Sequence, residues 1–250
     1  MRTISFDLLH IWYLGVGRDF VGAVIRTLVQ SKGFFHGSTQ DARLKVASAS
    51  LRRFAKNTGK PLAIKVLTKA KLQWNNKEYP MLKAKGADVA TVLPWLLHLA
   101  RNPEAEGCGT WPCAKSATAV WAANEFLLLY MTAGIFLTAE QSDQSKMGML
   151  FLRMYLTLSS AALILEIKLW KVRPKLHMLH HVFLNWAWPQ CRRNPHNDST
   201  WMDEDYVKKV TRVGKKTHVS TTSLRVLQRY LLQLVPTLEA SRNSKASRNA

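Results

Sequence analysis

"ISFDLLHIWYLGVGRDFVG", residues 4–22, sets an acid and a histidine three apart inside an apolar run, then glycines at 15, 17 and 22 around an arginine at 18. Thr3 to Asp7 read as the end of a short strand. From Arg18 onward, Phe20, Val21, Val24, Ile25 and Leu28 recur at helical spacing. Asp7 is thus expected at a strand end ahead of a helix. The glycines invite a dinucleotide reading, which fails because G-x-G-x-x-G needs glycine where Phe20 stands, and no Walker lysine follows. Gly15 and Gly17 are read as turn residues, and Gly22 as a point of close helix packing.

Beyond this stretch the pattern is helical. Ala42 to Phe54 reads as a basic helix stopped by "KNTGKP". Leu62 to Leu72 reads as a helix, with a strand left open by its β-branched residues. Helices follow in "VLPWLLHLA", from Ser116 to Thr138, and, after the polar break "AEQSDQSK", from Met147 through "EIKLWKVRP". Pro61, Pro80, Pro94, Pro103 and Pro112 are read as element boundaries. Pro174 opens a short helix, "CRRNPHNDST" is a loop, "STWMDEDYVKK" is a capped helix start, and Thr221 to Leu234 is a last helix before a polar, disordered tail.

Among 250 residues, 47% are apolar, enough for a sizeable core. Lys and Arg number 36 against 16 Asp and Glu, a net charge of +20 that points to a polyanionic partner, nucleic acid ahead of anionic membrane. Between Arg52 and Lys85 the only acid is Glu78, while Arg52, Arg53, Lys56, Lys60, Lys65, Lys69, Lys71, Lys77, Lys83 and Lys85 are cationic. A second basic stretch runs from Lys168 to Arg229. Solvated helix faces are the plain alternative. Cys108, Cys113 and Cys191 are too few and odd in number for a disulfide scaffold and suit a reducing compartment. "CGTWPC" has a spacing acceptable for half a zinc site, with Cys191 or the histidines of "KLHMLHH" as the other half, but no second CxxC supports it. No signal peptide is read at the N-terminus. Met147 to Leu165 has the length of a membrane span, but Arg153 interrupts it and no second span accompanies it, which favours a buried helix.

Three places hold chemistry-capable residues: Asp7 with His10, the trio His177, His180 and His181, and the acids Asp203, Glu204 and Asp205. Each has a bland reading: a helix cap beside a core histidine, histidines packed between helices, and acids complementing a helix dipole. No Ser or Cys stands in a nucleophile elbow, so a triad hydrolase has no support.

"DLLHIWYLGVGRDFVG" resembles the second-aspartate motif of cut-and-paste DNA transposases of the CACTA and Plavaka type. "RPKLHMLHH", with the Asn-Pro loop and "WMDEDYVKK" after it, is similar to the closing part of the same catalytic domain. The resemblance implies a ribonuclease H-like core in which three carboxylates hold two Mg²⁺ or Mn²⁺ ions about 4 Å apart for phosphodiester transfer, a task suited to hard oxygen ligands. It carries the second acid onto Asp7 and the last onto Glu204, with Asp203 and Asp205 as rivals in register, and gives His10 the role of orienting Asp7 or approaching a phosphate. Family members carry a further aspartate on an earlier strand, and only six residues precede Asp7. Neither Asp19 nor Asp41 has a spacing that recommends it as the substitute. The chain is therefore expected to be the later part of a longer protein.

The fold expected is mainly α, a helical insertion flanked by remnants of a ribonuclease H-like core. Residues 1–30 are the strand end and first helix, 31–172 the basic helical insertion, 173–235 the closing helices and 236–250 the tail. The function expected is non-specific DNA binding by a nuclear protein with an incomplete two-metal site, inactive alone. Arg18, Arg52, Arg53, Lys56, Lys65, Lys69, Lys175, Lys208, Lys209, Arg212, Lys215 and Lys216 are its expected phosphate contacts. A membrane-associated protein anchored through 147–165 and a non-catalytic helical scaffold are the alternatives.

Overall fold

The computed structural model describes residues 7–75, 77–104, 106–144, 146–184 and 192–200, with scattered positions beyond 200. The chain divides into two units, Met1–Ser199 and Thr200–Ala250. In the second, residues 224, 225, 227 and 228 are helical, and Arg225 donates to Gln228 Oε1 at 3.3 Å.

The first unit is built from helices. A π-helical segment, Leu9–Val16, runs directly into α1, Gly17–Gln30. Then come α2, Gln40–Asn57; α3, Gly86–Arg101; α4, Ala114–Thr132; α5, Ala139–Gln144; α6, Lys146–Ile164; and α7, Pro174–Leu184. Among the described residues there is no strand, only an isolated antiparallel bridge between Phe136 and Arg193. The mainly α reading holds.

Eleven of the fourteen residues of α1 are buried, so it is apolar almost all round and runs through the middle of the unit. The π segment, α2 and α3 pack around it, and α4 and α6 form the most extensive helix pair. Between them lies an aromatic cluster. Trp12 meets Phe126 and Phe151 edge-on at 5.0 and 5.1 Å, Phe20 meets Phe151 at 5.1 Å, and Phe126 meets Phe183 at 5.0 Å. Gly22 is where α1 admits a neighbouring chain. A Cβ there would lie 2.8 Å from the Leu82 nitrogen, whose N–H donates to the Arg18 carbonyl at 3.0 Å. Gly22→Ala is accordingly expected to displace residues 81–82 and cost about 1–3 kcal/mol in a urea titration.

Several expectations change. Thr3 to Phe6 lie outside the described residues, and Asp7 opens a helix: its carbonyl accepts the Ile11 N–H at 3.0 Å. Leu62 to Leu72 is not a helix. Its apolar spacing is used, with Ile64, Leu67 and Leu72 buried, but side chains from other elements take its backbone groups. Asp88 Oδ1 accepts the Ala63 N–H at 2.6 Å, Ser48 Oγ the Leu67 N–H at 2.8 Å, and Thr91 Oγ1 donates to the Pro61 carbonyl at 2.7 Å.

Pro94 bounds nothing. α3 runs through it, giving up one ladder bond while the burial of Leu93 and Trp95 on either side holds the helix together. α4 ends at Thr132, and Asn194 gathers carbonyls at and just past that end: its Nδ2 donates to Tyr130, Ala133 and Gly134 at 2.8, 3.2 and 3.1 Å. The polar break is itself partly helical, as α5. α6 stops at Ile164, where Glu166 takes a φ of 54°, so residues 165–173 do not continue it. The helix starting in "STWMDEDYVKK" falls on residues outside the described set.

By length and composition, one stretch among the described residues, Ala139–Ile164, is long and apolar enough to cross a membrane. One face of α6 packs through Phe151, Leu152, Tyr155 and Leu158, while Leu163 and Ile164 at its tip are 74% and 81% exposed.

Candidate functional site

Asp7 is held as a cap. Its Oδ1 accepts the Leu9 N–H at 2.9 Å, and Oδ2 lies 2.5 Å from His10 Nδ1. His10 is exposed, which corrects its reading as a core histidine. Lys175 Nζ donates to the His10 carbonyl at 2.8 Å, and its stem crosses Gly15, where a Cβ would lie 2.6 Å from Lys175 Cδ. Nearby, Arg173 donates to Asp19 at 2.6 Å. The two segments that carry the transposase resemblance, far apart in sequence, therefore touch through two charged contacts, and α7 packs on the π segment.

Asp19 is 1% exposed. Desolvation pushes its carboxyl up to about 6 against the opposing pull of Arg173, Lys171, Lys175 and Arg18. The sequence had marked Asp19 only as an acid without a suitable spacing. Its signal was there: an acid inside an apolar helix needs a cation.

Among the described residues no three or more His, Cys, Asp or Glu side chains gather in a way that holds a metal ion. Asp203, Glu204 and Asp205 lie outside the described set. No catalytic step is derived through Mg²⁺ or Mn²⁺. Cys108 and Cys113 are free thiols, and burial, with the Glu106 charge behind it, pushes Cys108 up to about 11. His177 and His181 face each other on α7, Nε2 to Nε2 at 2.9 Å, with His180 on the same turn.

The expected phosphate contacts divide. Arg53 is engaged by Glu106 at 2.5 Å; burial pushes that carboxyl up, but hydrogen bonds from Arg53, His98 and Ser50 hold it below its usual range. Lys69 pairs with Asp41 at 3.2 Å, and Lys175 is spent on the His10 carbonyl. Arg52, Lys56 and Lys65 are exposed, whereas Lys208, Lys209, Arg212, Lys215 and Lys216 lie outside the described residues. Positions 45, 49, 52 and 56 form the exposed ridge of α2, so Lys45, Arg52 and Lys56 stand in line over roughly 17 Å at 1.5 Å per residue. Lys45 went unnoticed in the sequence although its spacing, seven and eleven residues before the other two, was visible.

A second cationic group was not legible at all. Arg18, Lys71, Lys83 and Lys85 line a cleft of about 520 Å³ together with Ala63, Met81, Ala84 and Asp88. Tertiary backbone bonds assemble it: the Lys83 N–H donates to the Lys71 carbonyl at 2.7 Å, and the Leu82 N–H to that of Arg18.

Compared with known proteins, the chain matches no family model, no curated protein and no solved structure.

Proposed function

We propose that this chain is a DNA-binding, mainly helical part of a nuclear, transposase-like protein, with the flanks of its helical insertion belonging to a ribonuclease H-like core. The observation that carries the reading is the α2 ridge, where Lys45, Arg52 and Lys56 are exposed in line with no acid between them. Phosphates on a DNA strand are charges in a row, and a straight line of cations on a rigid helix meets them without reading sequence. The contact between the two resemblance-bearing segments adds support, since family members would need them in one core.

Fluorescence anisotropy with a labelled 25-base-pair duplex tests this. Affinity is expected to fall steeply with salt and to be nearly equal for unrelated sequences. Lys45→Gln, Arg52→Gln and Lys56→Gln together are expected to reduce the slope of log K against log salt by about 2–3, near 0.9 per lost phosphate contact. No binding at 50 mM salt, or a slope untouched by the triple variant, overturns the reading. With Mg²⁺ or Mn²⁺ added, no cleavage is expected; cleavage abolished by both Asp7→Ala and Glu204→Ala would instead make the protein an active nuclease.

The exposed tip of α6 favours a second reading, attachment to a membrane surface. Leu163 and Ile164 at its end and Leu165 and Ile167 just beyond are all exposed, and the exposed Lys168 follows them. Co-flotation with anionic vesicles that is lost in Ile164→Asp supports it, and failure to float removes it.

A further inference from the structure

The cleft around Arg18 carries chemistry that the ridge does not need. Its only acid, Asp88, has both oxygens committed: Oδ1 accepts the Ala63 N–H at 2.6 Å and Oδ2 the Lys85 N–H at 3.1 Å. Asp88, three residues into α3, thus reaches back to its N-cap residue Lys85, and the start of that helix is closed from within. Lys71, Lys83 and Lys85 have no ion-pair partner among the described residues, and Arg18 feels the charges of Asp19 and Asp88 without pairing directly with either. Arg18 Nε is buried and has no hydrogen-bond partner there, a state that is costly for a charged donor until an acceptor arrives. Lys71 and Lys83 are exposed at the mouth, on backbone segments tied to each other and to α1, so the charges are carried on a fixed frame.

The charge balance narrows the ligand. Arg18, Lys71, Lys83 and Lys85, less the Asp88 carboxylate, leave three positive charges in one cleft. A single phosphate monoester, at about −1.5 to −2, does not balance them, whereas a diphosphate does. The cleft, about 520 Å³ and open to solvent over much of its extent, is larger than the diphosphate alone. Ala63, Met81 and Ala84 supply an apolar wall for whatever the diphosphate is attached to.

We propose that the cleft lined by Arg18, Lys71, Lys83 and Lys85 binds a diphosphate-bearing small molecule. The site is separate from the α2 ridge and stands whether or not the protein binds duplex DNA.

Isothermal titration of the full chain at 150 mM salt with inorganic pyrophosphate, ADP and orthophosphate tests it. Pyrophosphate and ADP are expected to bind at least about tenfold more tightly than orthophosphate. Lys71→Gln with Lys83→Gln, both at exposed positions, is expected to weaken both by about tenfold or more, while the ridge variant Lys45→Gln, Arg52→Gln, Lys56→Gln binds them as the parent does. Tighter binding of ADP than of pyrophosphate assigns the apolar wall to a nucleoside, and equal binding assigns the site to inorganic diphosphate. No binding of either probe, no preference over orthophosphate, or equal weakening by both sets of variants overturns the proposal.

Discussion

Trp12→Ala is expected to cost about 3–5 kcal/mol, a large fraction of the roughly 5–15 kcal/mol that holds a domain together. Trp12 has no exposed surface, and its ring is clasped edge-on by Phe126 from α4 and Phe151 from α6. Truncation removes its buried area, two edge-on pairs worth about 0.5–1.5 kcal/mol each, and the plug that joins the π segment to the α4–α6 pair. Trp12→Phe is expected to behave differently. The indole Nε1 is buried with no acceptor among the described residues, so a phenyl ring discards an unsatisfied donor while keeping much of the contact. Urea titrations followed by circular dichroism compare the two. An alanine penalty below about 1 kcal/mol would mean that the cluster is not the centre of the unit.

The second large effect is a dependence on pH that runs opposite to the usual carboxylate. Asp19 keeps its proton to about 6 in the folded chain against an ordinary value of 3.8, because burial disfavours its charge more than Arg173 and the neighbouring lysines favour it. Between those values the native state binds more proton than the unfolded chain, so stability falls as pH rises. The contribution is fully present below about 4, is lost by the time pH passes about 6, and amounts to something on the order of 3 kcal/mol. Asp19→Asn, which cannot ionise, is expected to flatten that window. Glu106, held below its usual range, drives stability the other way on acidification, but it is common to both proteins and drops out of the difference. Denaturation midpoints at pH 4, 5 and 6.5 for parent and variant decide it; parallel curves would mean that Arg173 keeps Asp19 charged throughout.

Helical periodicity made α1, α2, α3, α4, α6 and α7 legible because each buries a stripe that local spacing defines. Residues 62–72 show the limit of that rule. Their apolar positions repeat as a helix would, yet their backbone donors are claimed by Asp88 and Ser48, residues no local pattern connects to them. The Asp7 cap was readable as one of two options, since an acid just before an apolar run serves equally well as a cap or as a ligand. The α2 ridge was half readable from spacing alone. The cleft was not, because Arg18, Lys71 and Lys83 become neighbours only when the chain at 81–83 lies against both α1 and residues 71–72.

The long reach of the contacts at the π segment sets a clock on synthesis. Asp19 and the His10 carbonyl meet Arg173 and Lys175 across 154 and 165 residues of chain. At about 5–20 residues per second, that is a wait of roughly 8–30 s after the first helix has left the ribosome. During that interval α1, apolar on nearly every side and carrying a buried acid, lacks its ion-pair partner, and for most of it lacks the α4–α6 aromatics as well. A nascent chain of this sequence therefore leaves the first helix without its full cover until α7 emerges, and pausing before residue 173 lengthens that exposure.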